Sequence, residues 1–499
     1  MTIESVDVLV VGAGISGIDA GYHLLTYCPG KSYAILEARD DLGGTWDLFR
    51  YPGIRSDSDM HTLGFSFRPW KEAKAIADGP SIKKYLRETA RDYGIDRHIR
   101  YQHRVKRAAW DSETARWTVE AERGPEREPV TFSANFLFMC SGYYNYDEGF
   151  TPQFEGRDAF KGQIVHPQHW PEQLDYKGKR VVVIGSGATA VTLVPEMAKD
   201  AAHVTMLQRS PTYMVSRPAE DKVANGLRKV LPSKLAYGLT RWKNVLFGMY
   251  FYKKARTNPQ GVNRWVLDRV KALLPQGYDM AHFTPSYNVW DQRLCLVPDG
   301  DLFEAIKSGS ADVVTGHIDR FTETGIRLKD GTEIEADIIV TATGLNLQLL
   351  SGVEYLVDGE RIAPNQTMTY KAMMFSGVPN LATSFGYTNA SWTLKADLTC
   401  MYVCRLINHM DKTGTQIAVP VLNDPEVQEE PWLSFSSGYV QRALAHLPKQ
   451  GSKRPWKVHQ NYAKDLLDLK FGKVEDGAMT FRKAGAKVRA PEPMLEAAE

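Results

Sequence analysis

The sequence predicts an α/β fold in which two strand–loop–helix domains share one chain, with the second inserted between two parts of the first. Val6 to Val11 form a continuous run of β-branched and aliphatic residues that leads into a glycine-rich turn, and Val181 to Ile184 lead into a second such turn. Runs of this kind are typical of parallel strands buried on both faces. A later run, residues 337–344, predicts the return of the chain to the first domain.

The first turn reads Gly-Ala-Gly-Ile-Ser-Gly over residues 12–17. Glycine at this spacing lets the chain turn sharply, lets the backbone approach a pyrophosphate and lets the helix pack closely on the strand. Glu37 ends the next strand, where a carboxylate accepts hydrogen bonds from an adenosine ribose. Together these features predict a Rossmann-like dinucleotide site. Its predicted residues are Gly12, Gly14, Ser16, Gly17 and Glu37.

The second turn reads Gly-Ser-Gly-Ala-Thr-Ala over residues 185–190, with alanine at a position where the close packing of helix on strand permits it. The strand after it ends in Gln208-Arg209 instead of an acid. A guanidinium there binds a ribose 2′-phosphate through two parallel hydrogen bonds, so NADP is favoured over NAD. The alternative for Arg209 is a solvated surface cation. The predicted residues of this site are Gly185, Ser186, Gly187, Ala188, Thr189, Ala190, Gln208 and Arg209.

An acid-ended loop for FAD and an arginine-ended loop for NADPH is the division of cofactors found in two-dinucleotide flavoproteins. The length of 499 residues agrees with it, because a single hydrophobic core stops growing beyond about 250–300 residues. The predicted segments are 1–145 and 335–484 for the two parts of the FAD domain, 146–334 for the NADP domain, and 485–499 for a Pro/Ala/Glu-rich tail that we expect to be disordered.

Residues 218–290 of the second domain predict a helical insertion with a basic outer face. Within it, residues 222–271 hold twelve Lys and Arg against one Asp. Two interpretations stay open: a solvated face over an aromatic core stripe, or a surface that contacts a membrane or an anionic partner. The aromatic residues concerned are Trp242, Phe247, Tyr250, Phe251 and Tyr252.

Composition excludes some classes of protein. A formal net charge of +2 gives no support for nucleic-acid binding. The five scattered cysteines form no C-x-x-C pair, which argues against a zinc or thiol-redox site and suits a reducing cytoplasm. The N-terminus does not resemble a secretory signal, and no apolar stretch approaches the roughly 18 residues of a membrane span. We therefore expect a cytoplasmic protein without a metal, with membrane association through 222–271 as the open alternative.

Two further motifs identify a family. Residues 43–57 read Gly-Gly-Thr-Trp-Asp-Leu-Phe-Arg-Tyr-Pro-Gly-Ile-Arg-Ser-Asp, and Phe160-x-Gly162-x-x-x-His166-x-x-x-Trp170-Pro171 precedes the second turn. With both turns and both motifs in this order, the chain resembles the Baeyer–Villiger monooxygenases, the ketone-oxygenating group of class B flavoprotein monooxygenases. The Trp-Pro ending separates them from the related N- and S-oxygenating enzymes, which usually carry Phe or Tyr followed by a base.

The resemblance covers nearly the whole chain apart from the tail, and it is greatest to a mycobacterial subgroup of the family. The stretches that carry this closer resemblance are residues 46–52, 140–147, 290–295 and 389–397.

The resemblance implies an FAD enzyme that uses NADPH and O2 to convert ketones to esters or lactones and sulfides to sulfoxides. It also implies that the oxygen is carried on a flavin C4a-(hydro)peroxide while NADP⁺ stays bound. The alternatives are a flavin N-monooxygenase, an NADPH oxidase that releases peroxide, and a flavin-carrying redox sensor attached to membranes through 222–271.

A catalytic pair follows from the same resemblance. A peroxide that attacks a carbonyl is an anion, so a fixed cation should lie beside it, and Arg293 matches the family's essential arginine and keeps its charge. A cation at about 4 Å, with an effective dielectric near 20, is worth about 4 kcal/mol, or roughly three pKa units on the peroxide. Asp57 would orient Arg293 and neutralise it during flavin reduction. The alternatives for both residues are a structural ion pair and solvated loop residues.

Other site residues are carried over from the family. Thr45, Trp46 and Asp47 are predicted FAD contacts, and Val105 is predicted to lie near the adenine. Arg55 and Ser56 are predicted to face the nicotinamide, together with Asp57.

Three further positions bear on the cofactor and the domains. Trp392 resembles the tryptophan that covers the nicotinamide ribose, with a core tryptophan as the alternative. His166 is predicted to join the domains rather than act as a base. Gln292 stands where some family members carry lysine, so NADP selectivity is predicted to depend more heavily on Arg209.

Overall fold

The computed structural model describes residues 3–292, 294–433 and 435–487. The predicted tail falls outside these residues from position 488 onward. No helix in the described ranges combines the length and the apolar character that crossing a membrane requires.

The first sheet combines a parallel half and an antiparallel half around one long strand. Glu128–Met139 pairs in parallel with Glu4–Val11 along most of its length and in antiparallel with Arg116–Arg123 through its first half. Its last residues pair with Leu381–Thr383. The strands lie in the order Glu360–Ile362, Glu354–Val357, His103–Asp111, Arg116–Arg123, Glu128–Met139, Glu4–Val11, Tyr33–Leu36 and Ile99–Arg100.

The second sheet is parallel throughout. Its apolar strands are buried, as continuous β-branched runs predict. The strands lie in the order Ala311–Thr315, His203–Gln208, Arg180–Ile184, Ile338–Thr341 and Gln163–Val165.

One predicted strand belongs to the other sheet. Ile338–Thr341 was predicted to return the chain to the FAD domain, and that prediction is wrong, because this strand pairs on both sides within the second sheet. The chain returns just after it. Leu345–Leu347 pairs in antiparallel with Tyr144–Gly149, the segment by which the chain leaves the first sheet. The two crossings between the sheets therefore form one paired connection.

The remaining strands form small sheets. These are Met214–Arg217 with Cys295–Pro298; Ile318–Phe321, Gly325–Leu328 and Glu333–Glu335; Thr369–Tyr370 with Met374–Phe375; Ile417–Pro420 with Met479–Arg482; and Glu429–Pro431 with Lys449–Gly451.

The α-helices are, in chain order, α1 (Ile15–Tyr27), α2 (Thr45–Leu48), α3 (Met60–Leu63), α4 (Gly79–Asp92), α5 (Ala188–Met197), α6 (Lys222–Val230), α7 (Ser233–Thr257), α8 (Pro259–Leu273), α9 (Asp301–Lys307), α10 (Trp392–Thr413), α11 (Gly438–Ala443) and α12 (Tyr462–Asp465). Shorter 3-10 turns cover Ile95–His98, Arg157–Ala159, Pro167–His169, Met280–Phe283, Leu349–Gly352, Pro364–Gln366 and Leu444–His446, and a π-helical stretch covers Leu466–Phe471.

The helical insertion, α6 to α8, packs on the first domain. Arg241 of α7 is buried, and its Nη1 donates to the carbonyl oxygens of His61 at 2.9 Å, Thr62 at 3.2 Å and Gly64 at 2.8 Å. Tyr237 Oη donates to the Phe65 carbonyl at 3.0 Å. One of the twelve Lys and Arg residues of this region is therefore buried, and its hydrogen bonds hold α7 against residues 61–64.

The outer face of α7 does not match one of the two interpretations of residues 222–271, a solvated basic face over an aromatic core stripe. Trp242, Phe247 and Tyr250 are exposed by 44%, 51% and 64%, so these rings are not in the core. That interpretation is wrong for them, because Trp242 and Tyr250 lie on the side of the helix away from its buried residues and the ring of Phe247 is also exposed.

Candidate functional site

A cavity of about 470 Å³ opens between the two sheets, within the roughly 300–1,000 Å³ typical of ligand pockets. It lies at the carboxyl ends of the parallel strands, where ligands of such sheets bind. Predicted site residues that line it are Gly12, Gly14, Ser16, Glu37, Thr45, Trp46, Arg55, Ser56, Asp57, Val105, Ala188, Thr189 and Trp392. Residues from both nucleotide loops and from the 43–57 motif thus meet at one cavity.

The first loop has no room for side chains at its first and last glycines. Gly12 has a φ of +102°, and a Cβ there would lie 2.7 Å from the Cys140 carbonyl oxygen. A Cβ on Gly17 would lie 1.8 Å from the Gly12 carbonyl oxygen, so Gly17 contributes close packing instead of lining the cavity. The loop backbone is therefore exposed to the cavity at the start of α1, whose N-terminus favours phosphate.

Glu37 is held by the loop that it is predicted to serve. Its Oε2 accepts from the Ala13 backbone N–H at 2.8 Å, and its Oε1 accepts from the Arg39 backbone N–H at 3.0 Å. Burial raises the pKa of Glu37, against the effect of these hydrogen bonds. Because each carboxylate oxygen accepts more than one hydrogen bond, both remain able to receive a ribose hydroxyl.

Asp47 supports the motif from behind the cavity. Its buried carboxylate binds Arg39 Nε at 2.7 Å and Lys83 Nζ. Burial raises the pKa of Asp47, but the hydrogen bonds from Lys83 and Arg39 outweigh it and hold that pKa below its usual value. Thr45 and Trp46 of the same helix line the cavity, whereas Asp47 does not.

The middle of the 43–57 motif packs against the second domain. Leu48, Phe49 and Tyr51 are buried in the apolar cluster of the second sheet. A Cβ on Gly53 would lie 3.0 Å from the Glu196 Cβ of α5. Burial raises the pKa of Tyr51 to about 12, although its hydrogen bond with Thr189 acts in the opposite direction. The motif therefore spans the cleft, and its last three residues, Arg55, Ser56 and Asp57, reach the cavity.

Those residues are held in different ways. Arg55 forms an ion pair with Asp301, the first residue of α9. Ser56 donates its backbone N–H to the Ala77 carbonyl at 2.9 Å, and its Oγ accepts from the Ala77 N–H at 3.2 Å. Asp57 lines the cavity.

Arg293 lies outside the described residues, so its relationship with Asp57 stays a prediction. The chain that follows it reaches the cavity, because Leu294, Cys295 and Leu296 line the wall.

The second loop reaches the cavity through Ala188 and Thr189, at the start of α5. Gly185 has a φ of +139°, and a Cβ there would lie 2.3 Å from the Ala342 carbonyl oxygen. The other predicted loop residues, Ser186, Gly187 and Ala190, do not line the cavity, and Ala190 is buried in the domain.

Gln208, the last residue of the next strand, and Arg209, the residue after it, differ in accessibility. Gln208 is buried, and its Nε2 donates to the His282 carbonyl at 2.7 Å and to Thr315 Oγ1 at 2.9 Å, which is a structural role. Arg209 is exposed, and within the described ranges it has no ion-pair partner. The next residue, Ser210, accepts a hydrogen bond from Ser186 Oγ at 3.1 Å. Arg209 therefore stands beside the second loop with its charge uncompensated.

Trp392 connects the cavity wall to the first loop. Its Nε1 donates to Ser16 Oγ at 2.7 Å, and its ring stacks on Tyr143 with centroids 5.2 Å apart. Tyr143 and Tyr144 share a hydrogen bond of 2.7 Å between their Oη atoms. These tyrosines and Tyr387 line the cavity but were not predicted as site residues. The signal for the first two was their place directly after Gly142, beyond the carboxyl end of a parallel strand.

His166 lies at the connection between the sheets. A Cβ on Gly149 would lie 2.0 Å from its ring, so the imidazole packs against the strand by which the chain leaves the first sheet. Its Nδ1 accepts from the Gln168 backbone N–H at 3.2 Å. Burial lowers its pKa. The ring is not part of the cavity wall, which agrees with a joining role rather than a general base.

Comparison with known families is decisive for the class of protein. Residues 5–383 match the family described as flavin-binding monooxygenase-like. The chain belongs to this family. It is 55% identical to the FAD-containing monooxygenase EthA of Mycobacterium tuberculosis over 487 residues, which covers 97% of this chain and 99% of that protein. It is 50% identical to the probable FAD-binding monooxygenase AlmA of Acinetobacter baylyi, over 99% of each chain.

Solved structures with low sequence identity to this chain share its fold. An oxidised steroid monooxygenase bound to NADP matches with a TM-score of 0.75 and 23% identity, covering 96% of this chain and 100% of that one. Cyclohexanone monooxygenase from Rhodococcus sp. Phi1 bound to NADP⁺ matches with a TM-score of 0.75 and 20% identity, covering 97% and 100%. The predicted α/β fold with two dinucleotide-binding domains and the predicted flavoprotein monooxygenase are confirmed, and the relatives agree with FAD and NADPH as cofactors.

Proposed function

We propose that this flavoprotein monooxygenase is of the Baeyer–Villiger type: it contains FAD, uses NADPH and O2, converts ketones to esters or lactones, and oxidises sulfides to sulfoxides. One observation carries the proposal. Residues of the first loop, of the second loop and of the 43–57 motif line the same cavity, so two dinucleotides bound by the loops would bring their reactive ends together.

The first loop and its neighbours fit FAD. Gly12 and Gly14 leave backbone exposed for the pyrophosphate at the start of α1, and Glu37 has acceptor capacity for the ribose. Thr45, Trp46 and Val105 complete the walls along the predicted path of the flavin and adenine. Asp47 keeps α2 in place through ion pairs with Arg39, Lys83 and Arg50.

The second loop and the cleft fit NADPH. Ala188 and Thr189 place the N-terminus of α5 at the cavity, where it would bind a pyrophosphate. Arg209 is exposed beside the loop and would bind the 2′-phosphate. Arg55 and Ser56 are the motif residues that would face the nicotinamide, and Trp392 would cover its ribose. Arg55 is kept in position by Asp301.

Bound FAD, once reduced by NADPH, supplies the chemistry that activates oxygen. In the proposal Arg293 places a permanent positive charge beside the reacting oxygen, and Asp57 at the cavity wall orients that guanidinium. Ketone oxygenation needs a deprotonated, nucleophilic oxygen donor, whereas sulfide oxidation needs a protonated, electrophilic one. We therefore expect ketone oxygenation to be favoured at higher pH than sulfide oxidation.

Replacing Arg293 by Ala tests this role. Flavin reduction by NADPH and formation of ester from a linear ketone are followed separately, with Arg320→Gln, an exposed arginine of the second domain, as the matched control. We expect ester formation to be lost while NADPH is still oxidised. Ester formed at the wild-type rate would show that Arg293 does not have the assigned role.

A plain NADPH oxidase is the alternative enzyme. It would consume NADPH and release hydrogen peroxide whichever ketone or sulfide is present. The ratio of product formed to NADPH consumed separates it from the proposed monooxygenase.

We place the enzyme in the cytoplasm, with peripheral contact to a membrane through residues 222–271. The excess of twelve Lys and Arg over one Asp in that region supports this contact, because basic helices are attracted to anionic lipid surfaces.

A further inference from the structure

Helix α7 carries an apolar stripe on its solvent side. Leu235, Leu239, Trp242, Leu246 and Tyr250 are each between 44% and 64% exposed. Their spacing of four, three, four and four residues places them along one line of the helix. The rings and aliphatic side chains of this stripe, defined by these five residues, therefore face water together.

The stripe lies opposite the packed face of the same helix. The buried residues of α7 include Ala236, Tyr237, Thr240, Arg241 and Val245, and Arg241 ties this face to three backbone carbonyls. The helix thus carries apolar side chains on its solvent side as well as on the side that packs on the core. Scattered exposed apolar residues need no explanation, but a contiguous row marks an interaction surface.

Two further exposed apolar residues lie on a segment that contacts the stripe through one aromatic ring. Trp242 and Tyr462 are in ring contact, with centroids 5.8 Å apart. Tyr462 starts α12, and the π-helical stretch after it exposes Leu467 by 64% and Phe471 by 66%. Leu467 and Phe471 therefore add two exposed apolar side chains on the segment that follows the ring in contact with Trp242.

Cations without acidic partners border the stripe. Lys253 follows Tyr250 by three residues and continues its line, Lys254 lies beside it, and Lys234 precedes Leu235; all three are exposed. Within the described part of the chain these three lysines form no ion pair. The mixture of aliphatic, Trp and Tyr side chains with bordering lysines is the composition of helices that lie in a membrane interface.

We propose that the α7 stripe, with Leu467 and Phe471, docks on an anionic lipid bilayer. This inference rests on the peripheral membrane contact proposed above and narrows it to one face. A second copy of the chain is disfavoured as the occupant, because a symmetric contact would bring the same α7 lysines of both copies together, with Asp268 as the one acid among residues 222–271. Anionic headgroups have the complementary charge.

The cavity lies one helix away from this face. Val245, on the buried side of α7, packs in one cluster with Tyr387, which lines the cavity. Docking would therefore bring the cavity close to the lipid, where apolar ketones and sulfides are concentrated.

Sedimentation of the holoenzyme with lipid vesicles tests the proposal. We expect the wild type to sediment with phosphatidylcholine vesicles that contain phosphatidylglycerol, more weakly with phosphatidylcholine alone, and less in high salt. Leu239→Gln with Leu246→Gln, and separately Lys253→Glu with Lys254→Glu, should each weaken binding more than about tenfold.

Two matched variants control for general effects of the substitutions. Leu25→Gln changes an exposed leucine elsewhere, and Lys177→Glu with Lys329→Glu reverses two exposed lysines of the second domain. Both should sediment as the wild type does. Flavin content and NADPH oxidation in solution should be unchanged in every variant, which shows that each is folded.

Three results would overturn the proposal. The first is a wild type that stays in the supernatant with anionic vesicles, and the second is α7 variants that sediment as the wild type does. The third is a wild type that self-associates without lipid and no longer does so in the stripe variant, which would make the face an interface between copies. Because binding is measured without turnover, failure of the ketone reaction would leave this test intact.

Discussion

Arg55 and Asp301 form an ion pair across the cleft between the two domains. Arg55 lies near the end of the 43–57 motif at the cavity wall, and Asp301 begins α9 of the second domain. The second guanidinium contact is 3.4 Å from Nη2 to Oδ1. The Asp301 Oδ1 atom also accepts from the Leu302 backbone N–H at 2.8 Å. The aspartate is therefore fixed to its helix and fixes Arg55 in turn.

Replacing Asp301 by Asn should impair use of NADPH more than binding of FAD. At this partly exposed site the ion pair stabilises the position of Arg55 by about 1 kcal/mol. Without it, we expect flavin reduction to be about fivefold slower. Anaerobic stopped-flow reduction at varied NADPH concentration measures it. Glu304→Gln, on the same helix and paired with Lys307, should reduce at the wild-type rate. An equal effect in both variants would refute the positioning role.

Arg209 should decide between NADPH and NADH. Charge-assisted hydrogen bonds contribute about 1.5–3 kcal/mol, so Arg209→Gln should raise the KM for NADPH about tenfold to a hundredfold and leave NADH nearly unaffected. Steady-state oxidation of both coenzymes measures this ratio, with Arg320→Gln as the control. If both KM values rise together, the 2′-phosphate is bound elsewhere.

Arg241 should matter for stability although it lies in a basic, mostly exposed region. Replacing it by Met leaves the carbonyls of His61, Thr62 and Gly64 without their donor in a buried place, which costs about 2–4 kcal/mol. Urea unfolding measures the loss. Lys229→Met, at an exposed lysine of the same basic region, should change the unfolding free energy by less than about 0.5 kcal/mol. Similar changes in unfolding free energy for the two variants would mean that the hydrogen bonds of Arg241 do not stabilise the packing of α7 on residues 61–64.

His23 should make stability depend on pH. Its Nδ1 lies 3.2 Å from Asp19 Oδ1 and its Nε2 lies 3.4 Å from Asp397 Oδ1. Burial lowers the pKa of His23, but the two carboxylates outweigh it and raise that pKa to about 9. A histidine with a raised pKa stabilises the fold fully below about pH 6.5 and loses this contribution, on the order of 3 kcal/mol, as pH rises to about 9.

Thermal unfolding between pH 6.5 and 9 checks this. The wild type should lose stability over the interval, and His23→Gln should be less stable at the lower pH and vary less with pH. His203→Gln, a surface histidine beside Asp312, should retain the wild-type slope. A wild-type slope in His23→Gln would contradict the assignment.

Local patterns were sufficient to predict the two loops, because β-branched runs and glycine spacing act over a few residues. The sheet that contains Ile338–Thr341 could not be predicted, since an apolar strand has the same pattern in either sheet. The pair Arg55 and Asp301 is separated by 246 residues, and no local rule connects them. Arg241 has the same sequence surroundings as its exposed neighbours, so only the packing of α7 on residues 61–64 distinguishes it.

Turnover of a small panel of ketones with NADPH and isotopically labelled oxygen gas tests the proposed oxygenation of ketones. The proposed function predicts an ester or lactone that contains a single labelled oxygen atom, formed with one NADPH consumed for each product molecule. NADPH consumption that yields hydrogen peroxide and no labelled ester from any linear or cyclic ketone would contradict it.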